Sequence, residues 1–295
     1  MPPALPEPAT LTLPDGRALG FASLGDPAGR PVLYCHGFPG SRLEPAMLAG
    51  LATARGARLI AVDRPGYGLS SPAPGAAWLD LAEDQARLCE HLGLGRVAVV
   101  GVSGGGPLAM ALAHLLGPRV GAVALVNAVP PSPARFGPWL RRLVWLGRHP
   151  GAARPVLLAG RRAVLAAPGS VPGLLHHALS AADRAVLTPD MLAALLHAWR
   201  AGIGPGIEGV ADDAARHARP WGFDLASITQ KVTLWQGGGD QVVPPSALAG
   251  FAALPHAETR LLAHETHHAL PVRHAGAILD TLLNEAFQAG AFPPG

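Results

Sequence analysis

The amino-acid sequence predicts an α/β chain: a mostly parallel central sheet with helices on both faces, plus an inserted helical cap. Three observations lead there. Short runs that are apolar along their whole length, such as RVAVVGV (96–102) and VGAVALVN (120–127), alternate with longer amphipathic stretches. Strands with no polar alternation are those buried on both faces, which is where parallel strands joined by crossover helices sit. The alternation stops near Val129 and resumes at Lys231, leaving roughly a hundred residues of helical pattern, far longer than an ordinary connection.

The elements follow in order. Residues 10–24 read as a hairpin, TLTL and ALGFASLG joined by a Pro14-Asp15-Gly16 turn. PVLYC (31–35) is a strand followed by a helical segment at 43–55, and ARLIAV (57–62) is a strand followed by a helix at 77–92. RVAVVGV runs into the glycine-rich start of a helix at 104–116, and VGAVALVN closes the first half. PWLRRLVWLGR and PDMLAALLHAW have helical periodicity and are separated by Pro and Gly. KVTLWQG (231–237), a helix from 245, AETRLLA (257–263) and a helix over 270–288 resume the first pattern. The expected organisation is a core of residues 1–128 and 230–295 with a helical cap over 129–229.

Composition narrows the function classes. With 49% hydrophobic and 15% charged residues, the 295-residue chain is too apolar for disorder and long enough for a large core. The net charge is only +3, and the 23 basic residues, of which Lys231 is the single lysine, form no dense run, so no nucleic-acid surface is expected. Cys35 and Cys89 are isolated and read as reduced structural residues. The start, MPPALPEPATLTLPDG, lacks a basic stretch followed by an apolar one, and no apolar run approaches the ~20 residues that cross a bilayer. A cytoplasmic protein without membrane insertion is the expectation.

Two motifs carry chemistry. Gly101-Val102-Ser103-Gly104-Gly105 matches G-x-S-x-G and lies between a strand and a helix. A sharp strand-to-helix turn exposes the serine hydroxyl, and small neighbours let the two elements approach. A serine needs a base to take its proton and an acid to orient that base. VGAVALVN ends in Asn127-Ala128 with no carboxylate, Asp212 and Asp213 read as surface or cap residues, and KVTLWQG runs into a tight loop bearing Asp240, which is the acid chosen. The base should follow the next strand, where LLAHETHHAL (261–270) contains H-E-x-x-H. A zinc pair at i and i+4 needs a helix to bring both histidines to one face, whereas this segment reads as a loop after a strand. In a chain with 13 His the pattern reads as coincidence, and no metal is expected.

HGFPGSR (36–42), DRPGYGLSS (63–71), GVSGGGP (101–107) and GGGDQVVP (237–244), in that order, resemble the α/β-hydrolase superfamily, especially its bacterial branch with a helical cap. The resemblance covers about residues 30–128 and 230–285. It implies that His267 is the base, since the branch closes its histidine segment with a pattern like Gly-Glu-Gly-His; Thr266 stands where a Gly is usual, and His268 remains an alternative. It implies an oxyanion hole from the backbone N–H groups of Phe38 and Gly104, a structural role for His36, and a loop braced by Asp63 and Arg64. The implied activity is a serine hydrolase (Ser103, His267, Asp240) acting on a small to medium apolar carboxylic ester, with no cofactor. The alternatives are C–C bond, thioester or lactone hydrolysis by the same triad, and a ligand-sensing receptor of the same fold with little turnover. The partner expected is a small-molecule substrate; oligomeric state is left open. Trp139, Trp145, Trp199 and Trp221 pack the inserted helices or line an apolar pocket.

Overall fold

The computed structural model describes residues 8–132, 136–166, 179 and 181–288; the leader reading of the first residues and the Trp139 side chain fall outside what is described. Eight strands form one sheet: β1 (Ala9–Thr12), β2 (Ala18–Gly25), β3 (Arg30–Cys35), β4 (Ala57–Val62), β5 (Val97–Val102), β6 (Val120–Val126), β7 (Lys231–Gly237) and β8 (Ala257–Leu262), in the spatial order β1-β2-β4-β3-β5-β6-β7-β8. β1 and β2 pair antiparallel, as do β2 and β4, and every later pairing is parallel. The hairpin and the alternating apolar runs therefore stand as expected.

The two faces of the sheet follow from the two-residue period of its strands. Leu33, Ile60, Val99, Val123 and Leu125 point to one side, against α2 (Trp78–His91) and α3 (Gly106–Leu116). Val32, Tyr34, Leu59, Ala98, Val100 and Ala124 point to the other, against α1 (Ala49–Thr53) and a C-terminal helix. Each fully buried Leu, Ile or Val contributes about 1.5–3 kcal/mol relative to exposure, so this double burial fixes both register and layering. Cys35 and Cys89 are free and buried within the first of these cores.

Between β6 and β7 the described residues form helices: α4 (Pro138–Gly147), α5 (Pro150–Leu165), α6 (Ala181–Val186), α7 (Pro189–Ile203) and α8 (Glu208–His217). Their apolar core is shared with loops at the carboxyl ends of the strands, since Leu140, Ile203 and Val210 cluster with Phe38, Tyr67, Val129 and Val243. The inserted helices therefore sit on the carboxyl edge of the sheet. No helix among the described residues is long and apolar enough to cross a membrane.

Several sequence expectations are corrected. Asp213 is not a surface residue: it is fully buried and pairs with both Arg64 (2.7 Å) and Arg216. Two guanidinium groups outweigh the cost of burial and hold its carboxyl below the ordinary range. The helix expected from 245 is a 3₁₀ segment, Pro245–Phe251. The one expected over 270–288 breaks at His274 into α9 (Leu270–Arg273) and α10 (Ala275–Phe287). The segment at 43–55 is a 3₁₀ turn, Glu44–Leu48, leading into α1.

Candidate active site

Ser103 stands where β5 turns into α3, with φ 50°. A non-glycine residue in the left-handed region stores strain of about 1–3 kcal/mol and persists only where its surroundings impose it. Here they do. The turn is so tight that a Cβ on Gly105 would run into the carbonyl of Cys35 at the end of β3, and one on Gly101 would stand 2.7 Å from Ala109 Cβ.

His267 lies in the loop between β8 and α9, fully within reach of that serine. Its Nε2 is 3.0 Å from Ser103 Oγ, and its Nδ1 is 2.7 Å from Asp240 Oδ2. With Nδ1–H donating to the carboxylate, Nε2 is left to accept from the serine hydroxyl, which is the tautomer general-base chemistry needs. The second carboxylate oxygen, Oδ1, accepts from the backbone N–H groups of Val242 and Val243, each at 2.8 Å. Burial disfavours the imidazolium of His267, but Asp240 beside it, with Asp183 and Glu44 further away, outweighs burial and raises its pKa above 6.5. The structure thus brings together Ser103, Asp240 and His267. His268 lies apart from that relay: its backbone N–H donates to Asp183 Oδ1 at 3.1 Å, its ring Nδ1 is 3.4 Å from Asp183 Oδ2, and burial lowers its pKa.

The rest of the histidine-rich loop disperses. His264 is exposed, and Glu265 pairs with His274 at 2.9 Å. Residues 264–268 are not helical, so the H-E-x-x-H residues do not share a helix face.

On the other side of Ser103, the turn after β3 carries Gly37 and Phe38. A Cβ on Gly104 would lie 3.2 Å from Phe38 N and collide with the Phe38 side chain, so the two backbones meet here. The turn is held from beneath. His36 Nδ1 bonds the carbonyl of Gly37 (2.9 Å), and its Nε2 accepts from Arg64 N–H (3.3 Å). Arg64 donates to the carbonyls of His36 (2.6 Å) and Gly37 (2.8 Å). Burial, reinforced by that guanidinium, keeps His36 neutral, with its pKa well below the ordinary value. Asp63 braces its own loop through Arg42 (2.7 Å) and Leu69 N–H (2.9 Å).

Two further residues of this site have no catalytic motif in the sequence to mark them. Asn127, at the end of β6, is fully buried with φ 46°. Its Oδ1 accepts from Gly237 N–H (2.8 Å), and its Nδ2 donates to the carbonyls of Thr266 (3.2 Å) and His267 (3.0 Å). An asparagine offers no acid or base chemistry to single it out in a sequence; its place at a strand tip between Ser103 and Asp240 is the available clue. Glu44, just beyond the turn, accepts from Tyr34 O–H and Gly37 N–H, each at 3.0 Å.

A cavity opens above Ser103 and His267, walled by Met47, Leu48, Met191, Leu195 and Trp199 among others. Of the tryptophans singled out in the sequence, Trp199 lines it, Trp145 is exposed and stacked on His149, and Trp221 packs in the core beside Phe223 and Phe251.

A family model described as alpha/beta hydrolase fold matches residues 30–273. The chain is 37% identical over 123 residues to a non-heme haloperoxidase of Rhodococcus erythropolis, covering 41% of this chain and 44% of that one. It is 28% identical over 263 residues to the dihydrolipoyllysine-residue acetyltransferase component of the acetoin cleaving system of Pseudomonas putida, covering 85% and 62%. It therefore spans less than two thirds of the length of either relative. Among solved structures, a thermophilic esterase from Thermogutta terrifontis superposes with a TM-score of 0.68 at 25% identity, covering 95% of this chain and 100% of that one.

Proposed function

The chain belongs to the alpha/beta hydrolase fold family, and from that premise we propose that it is a serine hydrolase cleaving a small to medium, fairly apolar carboxylic ester through an acyl-enzyme. The observation that carries the reading is the continuous relay from Ser103 Oγ to His267 Nε2 at 3.0 Å and from His267 Nδ1 to Asp240 at 2.7 Å. Its apolar cavity wall and the likeness to an esterase support the substrate class.

In this mechanism Ser103 attacks the ester carbonyl while His267 takes its proton, a transfer worth about 10²–10⁴ in rate. Asp240 holds the imidazole tautomer and stabilises the imidazolium that forms. The amides of Phe38 and Gly104 receive the oxyanion, each donor being worth about 10²–10³ in rate. His267 returns the proton to the leaving alcohol, and water then repeats the sequence to release the acid. The helices over 129–229 act as a cap that shapes the acyl site above a core of 1–128 and 230–295. The same relay would also serve thioester or lactone hydrolysis, and the largely apolar cavity wall supports a largely apolar acyl group.

The test is fluorophosphonate labelling followed by mass spectrometry. Modification at Ser103, lost in His267→Ala and retained in His268→Ala, is the expected result. Folded protein that does not label, or labels at another residue, would overturn the proposal.

A further inference from the structure

The cavity above Ser103 contains one acid that ester hydrolysis does not use. Glu44 lines it together with Ser103, His267 and the apolar Met47, Met191 and Trp199. Its carboxyl lies on the nucleophile's side: a Cβ on Gly37 would stand 3.4 Å from Glu44 Oε2 and 3.7 Å from Ser103 Cβ. Glu44 is half-buried, and its oxygens accept from Tyr34 O–H and Gly37 N–H. These two donors leave acceptor capacity free, since a carboxylate takes about four hydrogen bonds. A carboxyl bordering a largely apolar, partly enclosed site discriminates charge more sharply than one in water, because the surroundings screen it less.

We infer that Glu44 determines specificity by receiving an ammonium group on the substrate and excluding substrates that carry a second carboxylate. The inference rests on the hydrolase reading only in taking this cavity as the substrate site. Its electrostatics are suited to that task. Burial pushes the Glu44 carboxyl up to about 7, opposed by Gly37 N–H, Tyr34 O–H, Arg64 and His267. Below neutrality it is a neutral acid, and above neutrality it is an anion ready to pair. The titratable groups around it include Tyr34 from β3, His36 from the turn after β3, Arg64 from the loop after β4, and His267 and His268 from the loop after β8. The α7 wall contributes Met191, Leu195 and Trp199, none of them charged.

Isothermal titration of the full chain with hexylammonium, 1-hexanol and hexanoate reads this directly and needs no turnover. At about pH 8 hexylammonium should bind roughly ten- to a hundredfold more tightly than hexanoate, the range expected for a charge-assisted hydrogen bond. The preference should collapse in Glu44→Gln and, in the wild type, at about pH 5.5. Protonated His267 also repels a cation in acid, so the difference between wild type and Glu44→Gln isolates the carboxyl. Tyr34→Phe removes a donor that stabilises the Glu44 anion, and should move the onset of ammonium preference to higher pH. A merely structural brace for the turn would not produce that movement. If Glu44→Gln does not fold, the wild-type pH series and Tyr34→Phe carry the test.

Equal preference in wild type and Glu44→Gln, hexanoate bound as tightly as hexylammonium, or no binding of any of the three would overturn the inference. Fluorophosphonate labelling of the same preparation judges the hydrolase reading separately. Protein that labels at Ser103 but shows no ammonium preference refutes only the role of Glu44. Protein that shows the preference without labelling refutes only the hydrolase.

Discussion

Replacing Asn127 with alanine should damage stability and turnover together, although the residue is neither nucleophile, base nor acid. The magnitude follows from three contacts and one torsion. Losing Oδ1 strands the N–H of Gly237, to which it is bonded at 2.8 Å, inside the protein, at a cost of about 1–3 kcal/mol. Alanine must also adopt the left-handed φ of 46° that asparagine tolerates, costing about 1–2 kcal/mol. Asn127→Ala should therefore lose roughly 2–5 kcal/mol, read by equilibrium urea unfolding. The other two contacts hold the carbonyls of Thr266 and His267, so the loop presenting the imidazole loses its anchor to β6. A shift of about 1 Å at a catalytic group can cost on the order of a hundredfold, so kcat on p-nitrophenyl butyrate should fall by about ten- to a hundredfold, with KM little changed. A variant that loses less than about 1 kcal/mol, or keeps its kcat while destabilised, would refute this reasoning, because the anchor would then be neither buried nor transmitted to His267.

Asp213→Ala leaves Arg64 and Arg216 buried without their shared carboxylate and should cost about 3–5 kcal/mol in urea unfolding; a loss near zero would mean that water replaces the partner. The dependence of kcat/KM on pH should rise through a midpoint above 6.5, because Asp240 raises the pKa of His267 against burial, and Asp240→Asn should move that midpoint down. A midpoint unmoved by Asp240→Asn would assign the titration to another group. The same shift has a signature in stability: the contribution of protonated His267 is fully present below the unfolded pKa and is lost as pH rises through the raised one. Gly105→Ala should fail to give soluble protein, since its Cβ would enter the space of the Cys35 carbonyl; a soluble variant with normal melting would show that the elbow can relax.

The sheet was legible because double burial writes itself into composition: a run such as VAVVGV has no polar position to spare. The elbow at Ser103 was legible because its tightness demands small residues at fixed offsets, as the contacts of Gly101 and Gly105 explain. The assignment of His267 over His268 was open in the sequence, since adjacent histidines differ only in the direction their side chains leave the loop. The buried pairing of Arg64 with Asp213 spans 149 positions of sequence, and no local pattern announces so distant a partner. Asn127 and Glu44 were missed for the same reason, as each acts through contacts set by the tertiary arrangement of loops. The break at His274 and the 3₁₀ turn at Pro245–Phe251 show how weakly propensity constrains short segments that packing can bend.

The pairing of Arg64 with Asp213 also bears on how such a molecule can be recombined. One guanidinium is gripped by α8 at one end and grips the carbonyls of His36 and Gly37 at the other. The last inserted helix is thus a part of the floor on which the turn carrying Gly37 and Phe38 rests. A chimera that exchanges the whole insertion for a foreign one would remove that floor, whereas an exchange ending before Glu208 would keep it. The insertion is therefore not a freely exchangeable module, because its last helix is built into the loop layer beneath it.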